Sequence, residues 1–198
     1  MLDAPLRKVA APVLAPVAAR LARTHVSANA LTAASFVAGL GACAAIATHN
    51  FWWGLGLIAV NRLLAGLDGP LARLTKATDL GAFLEPVFTV IVAAGIGFAF
   101  ALADPSRALA AAFLIFALFA AGASYLGYTA TAATRDAAAG NSRLLRYPGG
   151  LIENTETFLA LALACALPGW FSVIAYVLGA LCFATAGARI AEAVVSFR

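Results

Sequence analysis

The chain has 198 residues, of which 63% are hydrophobic and 11% charged, and its mean hydropathy is +0.93. A soluble globule of this length cannot hide so much apolar surface, because its exterior must stay wettable, so the composition excludes an ordinary soluble domain and favours a membrane protein. The formal net charge of +4 at pH 7 is modest and gives no indication of nucleic-acid binding.

Long uncharged runs recur along the chain. Each can cross a hydrocarbon core of about 30 Å, which requires about 20 apolar residues of helix. The last run is too long for one span and is interrupted by Pro168-Gly169, which predicts two helices. Strict alternation of apolar and polar residues is absent, which argues against a transmembrane barrel. The six predicted spans are Leu31–Thr48, Phe51–Leu67, Pro86–Ala103, Ala108–Thr134 and the two halves of Thr157–Ala188.

The basic residues predict the topology of these spans. All but one of the 13 Lys and Arg residues fall on one side of a six-span arrangement, and Arg107 alone falls on the other. Cytoplasmic loops of membrane proteins carry an excess of Lys and Arg. We therefore expect a multi-pass protein of the bacterial inner (cytoplasmic) membrane, with both termini and the loop between spans two and three in the cytoplasm.

The N-terminal segment, residues 1–24, is predicted to be a unit separate from residues 25–198. Pro5, Pro12 and Pro16 interrupt its apolar residues, and it lacks the features of a cleavable signal peptide. Basic residues flank an alanine- and valine-rich middle, which favours an amphipathic helix lying in the membrane interface over a flexible basic tail. The predicted fold is an all-α integral membrane protein, with six transmembrane helices preceded by this interfacial helix.

A two-part pattern flanks the link between spans two and three. The first part is AGLDGPLAR at residues 65–73, and the second is GAFLEPVFT at residues 81–89. The pattern resembles the signature of the CDP-alcohol phosphatidyltransferase family, D-x-x-D-G-x-x-A-R … G-x-x-x-D-x-x-x-D, with Ala, Glu and Thr at the first, third and fourth aspartates. Asn29-x-x-Thr32, at the start of span one, is a second resemblance to the same family.

The resemblance implies a reaction in phospholipid metabolism, in which a substituted phosphate passes from a CDP-linked donor to an alcohol and CMP is released. In the family, the first three aspartates mainly bind Mg²⁺ or Mn²⁺, and the fourth is the proposed base. Here Asp68 and Glu85 remain as an incomplete metal site, and Ala65 offers no ligand atom. Thr89 occupies the base position, and its hydroxyl cannot act as a base near neutral pH. We therefore expect weakened metal binding and impaired or lost activity.

The same resemblance assigns four residues to nucleotide binding: Gly69, Ala72, Arg73 and Gly81. The two glycines would allow the backbone to approach the nucleotide, because they carry no side chain. Ala72 would leave room for the ligand, and Arg73 would pair with a phosphate.

Three functions are compatible with the sequence. One is a family homologue with impaired or lost transferase activity that keeps CDP-lipid, CMP or metal binding. The second is an active phosphatidyltransferase with a remodelled single-metal site, and the third is a structural or partner-binding membrane protein on the same fold. Membrane lipids are expected partners in every case. Small residues inside the spans are also compatible with a homodimer.

Four further arginines lie near the predicted span ends. Arg143 and Arg146, between spans four and five, are candidates for binding a lipid or donor phosphate. Ordinary positive-inside charge explains them equally well. Arg62 and Arg189 are expected either to extend to the interface or to pair with nearby acids.

Overall fold

The computed structural model describes residues 3–24, 26–138 and 152–197, and no strand occurs within these ranges. Short 3₁₀ turns at Pro105–Arg107 and Pro168–Trp170 precede two of the helices. The helices are α1 Asp3–Ala22, α2 Ala28–Ala47, α3 Phe51–Leu74, α4 Asp79–Ala103, α5 Ala108–Ala138, α6 Asn154–Ala166 and α7 Phe171–Ser196.

The prediction of an all-α membrane fold is confirmed. Within the described residues, helices α2, α3, α4, α5 and α7 are each long and apolar enough to cross a membrane. Helix α6 has 13 residues and a length of about 20 Å, which is less than the hydrocarbon thickness of about 30 Å. The predicted break at Pro168-Gly169 is present as the 3₁₀ turn between α6 and α7.

Both parts of the signature pattern lie on helices. Helix α3 continues through Pro70 to Leu74, although the proline ring removes the bond that the Gly66 carbonyl would otherwise accept. Helix α4 begins at Asp79, well before the predicted start of span three, and the Thr78 side chain caps it by accepting a hydrogen bond from the Gly81 N–H at 3.1 Å. Because both parts of the signature are helical, the backbone of α3 and α4 fixes the direction of each signature side chain.

Helix α1 packs against α3. Among its described side chains, Leu14, Ala18 and Leu21 lie on one face and contact an apolar cluster that includes Leu67 and Leu71 of α3. These residues are spaced four and three apart, so they share a helix face. The apolar residues of the N-terminal segment are thus partly covered by the protein itself. Its place at the membrane interface stays a prediction.

An aromatic stack holds the helices together at the end of the bundle away from the signature. Phe100 of α4 lies between Phe51 of α3 and Phe171 of α7, with ring centroids 5.6 Å and 4.2 Å away. Phe100 and Phe171 are fully buried. This stack fixes three helices at one end and leaves the opposite ends of α3 and α4 to form the site.

The turn between α4 and α5 is closed by Asp104. Its carboxylate accepts hydrogen bonds from the Ser106 N–H at 3.0 Å and the Ser106 hydroxyl at 2.6 Å, and it pairs with Arg107 at 3.0 Å. These bonds from Ser106, followed by the charge of Arg107, hold the pKa of Asp104 below its usual range.

We expect Asp104 to make the stability of this turn depend on pH. Because its pKa is lowered by folding, its contribution is present above the pKa of the unfolded chain and is lost as pH falls through the folded pKa. Thermal unfolding of the detergent-solubilised chain at a series of acidic pH values should show this loss of stability. Asp104→Asn keeps an acceptor oxygen but does not titrate, so this variant should lose less stability over the same pH range. Identical acid profiles for the two proteins would contradict the assignment.

Candidate functional site

The four positions of the signature aspartates line one pocket between α3 and α4. Ala65 and Asp68 come from α3, Glu85 and Thr89 come from α4, and Thr32 of α2 joins them. Residues three or four apart share a helix face, so each helix presents its pair to the other. The cavity has a volume of about 10 Å³, enough for about one water molecule.

Asp68 is held by a hydroxyl from α2. The Thr32 Oγ1 lies 3.1 Å from Asp68 Oδ2 and 3.1 Å from the Ala28 carbonyl oxygen, so its one proton serves two acceptors. Thr32 is buried and Asp68 is half-buried. The carboxylate that remains of the signature therefore has a defined orientation toward α2.

The Asn-x-x-Thr pattern at the start of α2 contacts both parts of the signature. While Thr32 reaches Asp68, the Asn29 Oδ1 accepts a hydrogen bond from the Thr78 hydroxyl at 2.9 Å, just before α4. A Cβ at Gly81 would lie 2.6 Å from that same oxygen. A side chain at Gly81 would therefore force Asn29 to move, so the glycine favours the close approach of α4 to α2, a role that the sequence pattern alone did not reveal.

A buried polar network forms the wall of the pocket nearest α2 and α6. The Asn61 side chain is 1% exposed and donates from Nδ2 to the Ser35 carbonyl at 2.6 Å. Arg62 Nε donates to Asn61 Oδ1 at 2.7 Å, and the Arg62 guanidinium carbon lies 3.7 Å from the centre of the Phe158 ring of α6. Sequence reasoning missed Asn61, although an amide inside an otherwise apolar run was a signal for it.

The residues assigned to nucleotide binding lie around the pocket rather than in its lining. The Arg73 Nη1 lies 4.0 Å from the position that a Cβ would take at Gly69, which is otherwise open. Ala72 packs against the apolar cluster beneath α1. Gly81 faces Asn29, as described. Gly69 and Arg73 therefore form an open surface next to Asp68, whereas Ala72 and Gly81 contact protein.

A second cavity of about 90 Å³ lies beside the first, between α4, α5, α6 and α7, and Glu85 and Thr89 line both. Arg189 of α7 also lines it and is 7% exposed, so this arginine stays inside the bundle instead of extending to the interface. Its Nη1 donates to the Ala121 carbonyl at 3.0 Å, and its guanidinium lies over the Tyr125 ring, 5.4 Å from the centroid. Two other candidates, Arg143 and Arg146, fall outside the described residues.

The donor set of the pocket is small. Asp68 and Glu85 are its carboxylates, and the described part of the chain contains no group of three or more His, Cys, Asp or Glu side chains placed to hold a metal ion. Mg²⁺ and Mn²⁺ are usually bound by several oxygen ligands. Two carboxylates, together with water and a substrate phosphate, are enough for one such ion but few for the pair that the family signature implies.

Comparison with known proteins identifies a family, a relative by sequence and a relative by structure. Residues 25–187 match the family model described as CDP-alcohol phosphatidyltransferase. The chain is 37% identical over 193 residues to "Inner membrane protein YnjF" of Escherichia coli (strain K12), covering 96% of this chain and 94% of that protein. Its fold is similar to the crystal structure of Mycobacterium tuberculosis phosphatidylinositol phosphate synthase (PgsA1) with CDP-DAG bound, with a TM-score of 0.70 and 18% identity over 91% of this chain and 92% of that one.

Proposed function

The chain belongs to the CDP-alcohol phosphatidyltransferase family, and from that premise we propose that it binds a CDP-linked lipid or CMP but transfers the phosphate poorly or not at all. One observation carries this proposal: the four signature positions line a single pocket, and only two of them have carboxylates. The surviving arrangement favours a membrane protein of phospholipid metabolism with a retained binding site and incomplete chemistry.

The missing base limits the reaction at its proton transfer. In the family reaction, an alcohol oxygen attacks the phosphorus that carries the donor's lipid or alcohol group, and the bond from that phosphorus to CMP breaks. The alcohol proton must leave at the same time. Thr89 stands where a carboxylate would accept it, and a threonine hydroxyl is too weak a base near neutral pH. General-base catalysis contributes about 10²–10⁴ to a rate, so its loss alone makes transfer slow.

The residues do not fit the two-ion site that the family signature implies. Several carboxylates would be needed to hold a pair of divalent ions, which would stabilise the attacking and leaving oxygens. Position 65 offers a methyl group, and Asp68 already accepts the Thr32 hydroxyl on one oxygen. The chain's own residues can still orient a ligand: Asp68 is fixed by α2, and Arg73 lies over the open backbone at Gly69.

A second function, active transfer with a single ion, is favoured by one feature. Asp68 and Glu85 line the same pocket, so both can reach a cation in a shifted position. This alternative predicts Mg²⁺-dependent turnover that is abolished by Asp68→Asn and nearly abolished by Glu85→Gln. The proposed function predicts instead that the unsubstituted chain has almost no turnover for these variants to remove.

The test measures binding and turnover of the purified full chain in detergent. We expect CMP and CDP-diacylglycerol to raise its melting temperature, and CMP release to stay near background with inositol phosphate, glycerol phosphate, serine or choline as acceptor. Rapid Mg²⁺-dependent CMP release would overturn the proposal that transfer activity is impaired or lost. Absence of any ligand-induced shift would overturn the binding site and favour the structural or partner-binding role.

For orientation, we propose that both termini and the pocket face the cytoplasm of a bacterial inner membrane. The support is the sequence pattern, in which all but one Lys and Arg fall on that side when the chain crosses the membrane six times, together with the name of the E. coli relative, an inner membrane protein. This orientation would give the pocket access to nucleotide-linked substrates. Reporter fusions at the two termini that read out in the periplasm would contradict it.

A further inference from the structure

We propose that Arg62, assisted by Arg73, supplies the positive charge that divalent ions supply in the family signature, so that the pocket binds the phosphates of its cytidine ligand without a metal ion. This inference rests on the proposed function, because it concerns how the same pocket holds the same ligand. Its starting point is the misfit between the residues present and a two-ion site.

Arg62 is fixed in the pocket wall by contacts on two sides. Its Nε donates to Asn61 at 2.7 Å, and its guanidinium lies over the Phe158 ring at 3.7 Å. Both partners are themselves buried, at 1% and 3% exposure, and Asn61 is anchored to the backbone of α2 through Ser35. A guanidinium held in this way is a permanent positive charge in a defined position, unlike a flexible surface arginine.

The charge of Arg62 acts on the signature carboxylates. Arg62 lines the same pocket as Asp68 and Glu85, so its positive charge acts on both carboxylates. A divalent ion entering beside these carboxylates would be repelled by the resident guanidinium. The same residue that compensates the carboxylates therefore also lowers their affinity for Mg²⁺ or Mn²⁺.

A charge count shows why losing two aspartates suits this arrangement. Four carboxylates, as in the family signature, carry four negative charges, which two divalent ions neutralise. Here Asp68 and Glu85 leave two formal negative charges, and the guanidinium of Arg62 in the same pocket offsets one of them without any ion. The replacements at positions 65 and 89 thus remove just the negative charge that would otherwise repel a phosphate from a metal-free pocket.

The two arginines are also suited to phosphate in their geometry. A guanidinium has five N–H donors in a planar fork, a geometry that matches the oxygens of a phosphate. The Arg73 Nη1 lies 4.0 Å from the position that a Cβ would take at Gly69, the residue after Asp68. A phosphate at Gly69 would therefore meet Arg73, and a phosphate that enters the pocket would meet Arg62.

The test compares ligand affinity of the full chain in EDTA and in Mg²⁺. CMP and CDP-diacylglycerol are the two probes, and phosphatidylglycerol controls for general binding of anionic lipid. We expect the affinity for CMP to be the same in both conditions within about twofold, and Arg62→Gln to weaken it by about 10- to 100-fold, the range of a hydrogen bond to a charged group. Arg62→Lys keeps the charge but not the planar group of N–H donors, so its affinity for CMP should lie between those of the unsubstituted chain and Arg62→Gln. Arg107→Gln, at the opposite end of the bundle, should bind as the unsubstituted chain does.

A second variant tests the same inference by making ligand binding depend on Mg²⁺. The double substitution Ala65→Asp, Thr89→Asp returns the pocket to four carboxylates, and its CMP binding should become dependent on Mg²⁺. Binding by the unsubstituted chain only in Mg²⁺, or equal binding by Arg62→Gln, would overturn the inference and leave the proposed function standing. No binding in either condition would overturn the proposed function itself, and equal affinity for phosphatidylglycerol would show a general anionic-lipid site instead of a cytidine site.

Discussion

Restoring the three replaced aspartates, through Ala65→Asp, Glu85→Asp and Thr89→Asp together, is expected to raise Mg²⁺-dependent CMP release by about 100-fold or more. A general base contributes about 10²–10⁴ to the rate, and a completed metal site adds electrostatic stabilisation of the developing charge. The structure supports this expectation because all three positions already line the pocket that contains Asp68. CMP release from CDP-diacylglycerol, measured with the same set of acceptors, gives the comparison.

The matched control adds Asp68→Asn to the restored variant. This change removes the signature aspartate that the natural sequence retains and leaves the overall shape of the pocket unchanged, so the regained activity should disappear. A restored variant that remains folded and binds CMP, yet releases no more CMP than the unsubstituted chain, would contradict the view that the signature positions alone limit the reaction.

The substitution Gly39→Ala is expected to destabilise the bundle by about 1–3 kcal/mol, the usual range for overpacking a dense core. A Cβ at Gly39 on α2 would lie 2.5 Å and 2.7 Å from the two methyl groups of Val92 on α4 and 3.1 Å from Asn61 Nδ2 on α3. Val92 is buried and β-branched, so its side chain has one strongly preferred rotamer in a helix and cannot move aside. Thermal unfolding in detergent measures the loss.

Gly56→Ala is the control for this substitution. No atom lies within 4 Å of the Cβ that it would introduce on α3. Alanine is the better helix former by about 1 kcal/mol, so this variant should be unchanged or slightly more stable. Because Asn61 and Val92 also line the signature pocket, Gly39→Ala should weaken CMP binding as well. Equal stability of the two variants would contradict the close approach of α2 and α4.

Much of the fold was predictable because it depends on local properties of the chain. Apolar run length indicated where helices cross, and Pro168-Gly169 indicated the break between α6 and α7. Helix ends were less predictable: α4 begins at Asp79, since the Thr78 side chain caps it, whereas the apolar run begins only at Pro86. A helix ending at this turn was predicted as a membrane span, but α6 runs only from Asn154 to Ala166 and has 13 residues.

The convergence of the signature positions was predictable from spacing. Positions three and four apart share a helix face, so each helix can present its pair to a neighbour, and the family resemblance indicated which pairs matter. The supporting contacts were not predictable in the same way. Three of these contacts join residues from different parts of the chain: Thr32 with Asp68, Thr78 with Asn29, and Arg62 with Phe158. No local sequence pattern specifies which faces of the helices meet.

By itself, the sequence determined that this protein lies in a membrane, that it is built of helices, and that its signature has lost two carboxylates. Each of these follows from composition, periodicity or residue identity at known spacing. Only the tertiary structure decided that Thr32 orients the remaining aspartate and that Arg62 is held over Phe158 in the wall of the same pocket. The physical reason is that the energy of an electrostatic contact depends on the distance between the two groups. These groups come close to each other only when α2, α3 and α6 have packed together.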